Sequence, residues 1–330
     1  MSVGHLTRRS ILSALAALGS SATAVVPAFA QADYPSRPVR VIVGFAAGGG
    51  NDIFARLVGA KLSEIIGQPV VIENKPSAGG RLAAEFVAQQ APDGYTLLVA
   101  ASGMMSIAGA IYSDLKYDPV KSFTPLGMIA NFPLIFVVAG DHPANNVKEL
   151  VAWAKAHPDK ANYPSTSPSF TITSELFKLK SGVPGVMIPY KGSNEMILAV
   201  IDGQSLFAFP DGPPTVPQVK AGKLKALAVT GAERSSQLPD TPSMSEAGYP
   251  DVDVHLWSGV FAPTGTPAPI VAKLSTALNQ AIHDTSVSDK LKAMAVNPGG
   301  PSGDEFKRQI ASEISKYSAV VKAANLHFDE

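Results

Sequence analysis

Three consecutive glycines, Gly48, Gly49 and Gly50, stand between a β-branched run that ends at Phe45 and a helical pattern that opens at Asn51. A strand, a glycine turn and a helix start form a general seat for an anion. The first helical amides have no intrahelical acceptor, and the helix dipole points its positive end at the turn. A dinucleotide fingerprint would need a glycine at position 53, where Ile53 stands, and a triphosphate loop would need Gly-Lys followed by Ser or Thr, which is absent. A carboxylate surrounded by backbone donors fits what remains. The competing reading is a tight turn in which Asn51 or Asp52 serves only as helix cap. The device recurs at Ser77, Ala78, Gly79 and Gly80, again between a strand and a helix start, which puts two glycine loops on the carboxyl edge of one sheet.

Other reactive residue types are present without the spacing that chemistry needs. The six histidines, at 5, 142, 157, 255, 283 and 327, include no H-E-x-x-H and no pair at ligand spacing, so neither a metal nor a cofactor is expected. His142 and His157 precede prolines at segment ends, where a solvated side chain is the common outcome. "SDLK", Ser113 to Lys116, matches S-x-x-K but sits in a proline-bounded segment rather than at a helix start, and no G-x-S-x-G elbow surrounds Ser102. Trp257 is expected to pack in a core or hinge rather than to touch a ligand.

The elements that would position the loops alternate. "VRVIVGF", "PVVIEN" and "YTLLVAAS" are short β-branched runs separated by helical stretches from Asn51 to Ile66 and from Gly80 to Gln90. Two βαβ units of this size predict a parallel sheet with helices packed on it. A second set follows, with strands at "PLIFVVAG", "ANYPSTS", "GVMIPY", "QSLFAFP" and "LKALAVTG" and helices at Val147 to His157, Thr171 to Ser181, Asn194 to Asp202 and Thr215 to Ala221. The tail returns to strand at "LWSGVFAP" and ends in helices from Pro269 to His283 and Ser302 to Ala324. The pattern predicts two α/β lobes with a cleft between them.

The first thirty residues read as an export signal. Arg8 and Arg9 precede a short apolar segment rich in small residues, and Ala28-Phe29-Ala30 supplies a cleavage signature, so the mature chain is expected to start near Gln31 in the periplasm. With no cysteine there is neither a lipid-attachment thiol nor a disulfide framework. Removal of Arg8 and Arg9 takes two from the 27 basic residues and none from the 27 acidic ones, a net charge of about −2 that offers nothing to nucleic acid. A mature chain of about 300 residues exceeds what one core accommodates.

The stretch "YPSRPVRVIVGFAAGGGNDIFARLVGAKLSEIIGQPVVIENKPSAGGRLAAEFVAQQAPDGYTLLVA" resembles the solute-binding receptors of tripartite tricarboxylate transporters, the Bug-type proteins, almost residue for residue. Later blocks agree: "LKYDPVKSFTPLGMIA", "IPYKG" from Ile188 to Gly192, "VKAGKLKALAVTGAERSSQLPDTPSMSEAGYP" and "FAPTGTPAPIVAKL". The resemblance implies a periplasmic "Venus flytrap" of type II character, each lobe a mainly parallel sheet flanked by helices. One lobe would comprise residues 31–131 and 257–330, the other 132–256, with hinges near Asn131 and Trp257. It implies a monomer that is not an enzyme, and that captures a small carboxylate and delivers it to a membrane permease.

Carried over residue by residue, the implied ligand contacts are the first loop, Phe45, Ala46, Ala47, Gly48, Gly49, Gly50 and Asn51, and the second, Ser77 to Gly80. Ser102 and the polar loop Ser165, Thr166 and Ser167 would reach in from the two sides. Departures bear on the ligand. "STSPSFTI" is shorter than the usual loop and sets Phe170 and Thr171 where Pro and His are common. "GQSLFAFPDGPP" puts Leu206 and Pro210 in customary acidic places and leaves Asp211 as the only acid. Arg81 is unusual after the paired glycines. An added aromatic, fewer acids and an added arginine point toward an apolar-bodied di- or aromatic carboxylate rather than an amino acid. A secreted serine hydrolase and a cofactor enzyme exported in the folded state are the alternatives.

Overall fold

The computed structural model describes residue 1, residues 34–235 and residues 237–323. Residues 2–30 of the expected export segment lie outside the described residues. Met1–Ser36 separates as its own unit, and the fold below is that of Arg37–Glu330.

The βα alternation of the opening stretch is realised as β1 (Val39–Val43), α1 (Gly50–Ile66), β2 (Val70–Asn74), α2 (Arg81–Ala88) and β3 (Thr96–Ala101). A π turn at Gly103–Ile107 and the short α3 (Ala108–Ile111) lead to β4 (Phe123–Pro133). The second set follows at once: β5 (Ile135–Ala139), α4 (Val147–Ala156), β6 (Tyr163–Ser165), α5 (Pro168–Ser181), β7 (Met187–Pro189), α6 (Ser193–Ile201), α7 (Gly212–Lys220) and β8 (Leu224–Val229). The chain returns through β9 (His255–Pro263) and closes with α8 (Ala268–His283), α9 (Thr285–Ala293), β10 (Asn297–Pro298) and α10 (Gly303–Ala323).

Among the described residues the strands form a six-stranded sheet, ordered β10-β4-β9-β3-β1-β2, and two two-stranded sheets, β5-β8 and β6-β7. The expectation of mainly parallel sheets holds for β2-β1-β3, with Val39 opposite Val70 and Arg40 opposite Thr96, and for β6-β7. It fails elsewhere: β9 is antiparallel to both β3 and β4, and β10 to β4. The reason is connectivity. The chain leaves this sheet through β4 to build the second set and re-enters through β9 from the same side, so the returning strand must run backwards. β5-β8 is antiparallel as well.

β4 carries Pro125 and Pro133, which in sequence argue against a central strand. The strand forms because register shifts between Pro125 and Gly127 and between Met128 and Ala130 absorb the missing donor. The predicted strand "QSLFAFP" makes no ladder of its own. It runs extended beside β5, where Ala208 exchanges both backbone hydrogen bonds with Val137 and the Ile135 amide donates to Pro210.

Each set has its own core. Trp257, Phe261 and Phe306 cluster with Met104, Met105 and Phe123 under the six-stranded sheet. Phe136 stacks on Phe209 at 4.3 Å and meets Phe177 and Phe207 within the second set. The two histidines expected to be solvated, His142 and His157, are only partly exposed. His142 and His157 pack on Trp153 at 4.9 and 4.3 Å between ring centroids, and the His142 Nδ1 accepts from the Ala144 amide. A flat indole between two imidazoles buries more surface than two solvated rings would, and burial holds the His142 pKa below its usual value, with the Lys225 charge adding to the effect.

Two strands cross side by side from one set to the other. The β4–β9 ladder continues past Asn131 and Trp257 to Pro133 opposite His255. Just beyond it, Thr230 ties both crossings: its Oγ1 accepts from the Leu134 amide at 2.7 Å and donates to the Val254 carbonyl at 2.6 Å.

Candidate functional site

The first glycine loop is shaped from beneath. Asp52, 3% exposed in the first turn of α1, accepts from the Gly48 amide at 2.9 Å, from Arg56 Nε at 3.0 Å and from Asn74 Nδ2 at 2.9 Å. Burial opposes its charge, but these three donors win and hold its carboxyl below the usual range. Asn74 also donates to the Phe45 carbonyl, so the loop is pinned at both ends. Neither Asn51 nor Asp52 is the N-cap. Gly49 occupies that place without a side-chain cap, which leaves the first-turn amides of α1 to find acceptors outside the helix.

The second loop sits behind the first rather than beside it. A Cβ on Gly44 would come within 2.7 Å of the Gly80 Cα, so the two turns touch through bare backbone. Gly79 and Gly80 have φ of 64° and 79°, the left-handed region, and turn the chain so that α2 begins only at Arg81. Arg81 then stacks 4.0 Å over the Tyr112 ring and lines a surface depression with Ser77, Glu85 and Asp114. The arginine that in sequence points toward a di- or aromatic carboxylate is therefore held on an aromatic face outside the described lining of the cleft.

The cleft lies between the two sets. Phe45, Ala46, Gly49, Gly50 and Asn51 form one wall with Ala101; Thr166, Ser167, Ser169 and Phe170 form the opposite one. Gly192, Ser193 and Asp211 close one side, and Phe132, Leu256 and Trp257 the floor. Four helices begin here: α1 at Gly50, α5 after its N-cap Ser167, α6 after Gly192 and α7 after Asp211. Their dipoles point positive ends into one space, although no lysine or arginine is among the described lining residues. The cavity itself measures about 30 Å³, the room of a single water.

Asp211 is the one acid among the described lining residues. It is 4% exposed, and burial pushes its carboxyl up to about 6 against the hydrogen bonds from Ser193 and the Gly50 amide that favour the charged form. Gly50 must be glycine for this contact, since a Cβ there would stand 1.8 Å from the Asp211 Oδ2.

Of the residues singled out in sequence, Phe45, Ala46, Gly49, Gly50, Asn51, Thr166, Ser167, Phe170 and Asp211 meet at the cleft. Ala47, Gly48, Ser77, Gly79, Gly80, Arg81, Ser102, Ser165 and Thr171 are not among the described residues that line it, and the Ala78 side chain lies outside what is described. The Ser165 hydroxyl turns inward onto Thr171 Oγ1 at 2.8 Å and the Ser167 carbonyl, and the buried Ser102 hydroxyl lies 3.4 Å from the Trp257 amide, which donates to it. Trp257 is both core and wall. Its ring meets Phe306 edge-on at 4.7 Å and its Nε1 donates to Glu313 at 2.8 Å, while it still faces the cleft. Sequence reasoning missed Ala101, Phe132, Ser169, Gly192, Ser193 and Leu256. "IPYKGSNE" did carry a signal for two of these, being a third strand, glycine and helix start.

Residues 54–326 match the model of the tripartite tricarboxylate transporter family receptor. BugT of Bordetella pertussis is 32% identical over 91% of this chain and 94% of its own. A Rhodopseudomonas palustris protein solved with adipate is 34% identical, with a TM-score of 0.85 over 89% of this chain and 99% of that one. MatC from Rhodopseudomonas palustris, solved with bound malate, is 33% identical, with a TM-score of 0.83 over 87% of this chain and 100% of that one.

Proposed function

Because the chain belongs to the tripartite tricarboxylate transporter receptor family, we propose that it captures a small carboxylate in this cleft and hands it to a membrane permease of the tripartite type. The observation that carries the reading is the convergence of four helix N-termini on one cavity without a cationic side chain. Such a field holds a carboxylate by backbone donors and lets it leave again, as a carrier must. The relatives solved with adipate and malate carry acids of the size and charge this asks for.

The first carboxylate lies against the first-turn amides of α1 beyond Gly50, whose own amide serves Asp211, with Thr166 and Ser167 reaching it from the other set, and the aromatic residues take the carbon body. Residues 31–131 with 257–330, and residues 132–256, act as the two lobes, and the protein works as a monomer in the periplasm once residues 1–30 are removed. Arg81 has no part in the site.

A thermal-shift panel of mono-, di- and aromatic carboxylates tests the reading. A bound acid at a hundred times its dissociation constant adds about 2.7 kcal/mol to stability. Gly49→Asp should abolish that gain with the circular dichroism unchanged, since an added Cβ meets only the Ala46 carbonyl at 3.4 Å and Ser193 Oγ at 3.8 Å while the new charge faces the ligand. No stabilisation by any acid, or an undiminished one in the variant, rejects it.

A further inference from the structure

An acidic side chain is out of place in a seat for anions. Asp211 presents Oδ2 to the Gly50 amide and the Ser193 hydroxyl. Its other oxygen, Oδ1, is shielded from solvent and has no hydrogen-bond partner. Asn51, one residue into α1, lines the same cleft with a second shielded and unpartnered Oδ1. A buried acceptor without a donor is unfavourable, and a carboxylate brought beside Asp211 adds repulsion between like charges. No cation among the described lining residues offsets either effect. Both are relieved when the incoming acid carries its own O–H or N–H next to its carboxylate, so that the donor lies between the two anionic groups.

Resting on the receptor reading above, we propose that the cleft selects carboxylates with a hydrogen-bond donor on the adjoining carbon, the 2-hydroxy and 2-amino acids, and that Asp211 reads that donor. The helix N-termini take the carboxylate, Asp211 Oδ1 and Asn51 Oδ1 take the donor, and Phe45, Phe170 and Trp257 pack on the carbon chain. This departs from the sequence reading of an apolar-bodied di- or aromatic carboxylate rather than an amino acid, to which Arg81 contributed. The arginine lies outside the cleft and the acid lies inside it.

Calorimetric titration of matched acids at pH 7.5 tests the proposal: malate and aspartate against succinate, and 3-phenyllactate and phenylalanine against 3-phenylpropionate. In whichever series binds, a member with the hydroxyl or amino group should bind at least about tenfold tighter than the bare acid, which corresponds to about 1.4 kcal/mol. Asp211→Asn should erase that preference. The Gly50 amide and Ser193 hydroxyl need an acceptor, so the carboxamide oxygen turns to them and its NH2, a donor, faces the ligand. The bare acid should keep or improve its affinity in this variant, a result that a merely misfolded protein would not give. Equal affinities within each series, or a preference that survives Asp211→Asn, overturns the proposal while carboxylate binding keeps the receptor reading intact. Failure of every carboxylate to bind rejects the receptor reading and the proposal with it.

Discussion

At the scale of single residues, Asp211 is the one buried acid among the described residues of the cleft. Its carboxyl is pushed up to about 6 by burial, so the folded protein holds that proton more tightly than the unfolded chain does. The stability it contributes is therefore present in full below the ordinary carboxylate pKa and is lost as pH rises through about 6. Asp211→Asn removes this titration. Relative to wild type, the variant should gain about 2 kcal/mol of stability between pH 4 and pH 7, read from urea unfolding at each pH. A difference that stays flat across that window would mean the carboxyl ionises as it does in the unfolded chain. Sequence names Asp211 as the one acid left in its loop, but its meeting with Gly50 depends on packing between segments far apart in the chain.

At the scale of elements, the two crossing strands are joined by one hydroxyl. Thr230 is fully buried, and its Oγ1 serves both the Leu134 amide and the Val254 carbonyl. Thr230→Val keeps the volume and leaves both backbone groups without a partner, at a cost of about 2 to 4 kcal/mol. Urea unfolding should show that loss, and Thr230→Ser should restore most of it. Equal stability in the valine variant would assign the crossing to the β4–β9 ladder alone. Helices were legible to different degrees: α1 and α8 each begin one residue ahead of their expected starts, α5 and α7 begin three residues ahead because prolines occupy their first turns, and α9 was not expected. β4 was not legible, because Pro125 is tolerated only through a register shift that its neighbour β9 makes possible.

At the scale of the whole molecule, a cavity of about 30 Å³ cannot admit a dicarboxylate unless its walls part. Gly48 lies against Asn194 and Gly103 against Ser169, so backbone from the first set meets side chains from the second around the rim. Contacts of this kind from both sets form together only when the cleft is shut, and a ligand that touches both sets favours that form. Small-angle scattering should show the radius of gyration contract on addition of a saturating carboxylate. An unchanged radius would mean that the acid enters a pocket that does not open.

The sequence by itself determined where the glycine turns and helix starts fall, because both follow from local backbone freedom and apolar periodicity, and it carried the family resemblance along nearly the whole chain. Only the tertiary structure decided which of those helix starts face one another. The second glycine loop became the support of the first, since two bare backbones can pack where side chains cannot. Gly192 opened a wall of the cleft, and Tyr112 captured Arg81 on the outer surface. The reversed direction of β9 in the large sheet was likewise settled by the route of the chain through the second set, a long-range constraint that residue spacing within any one segment does not contain.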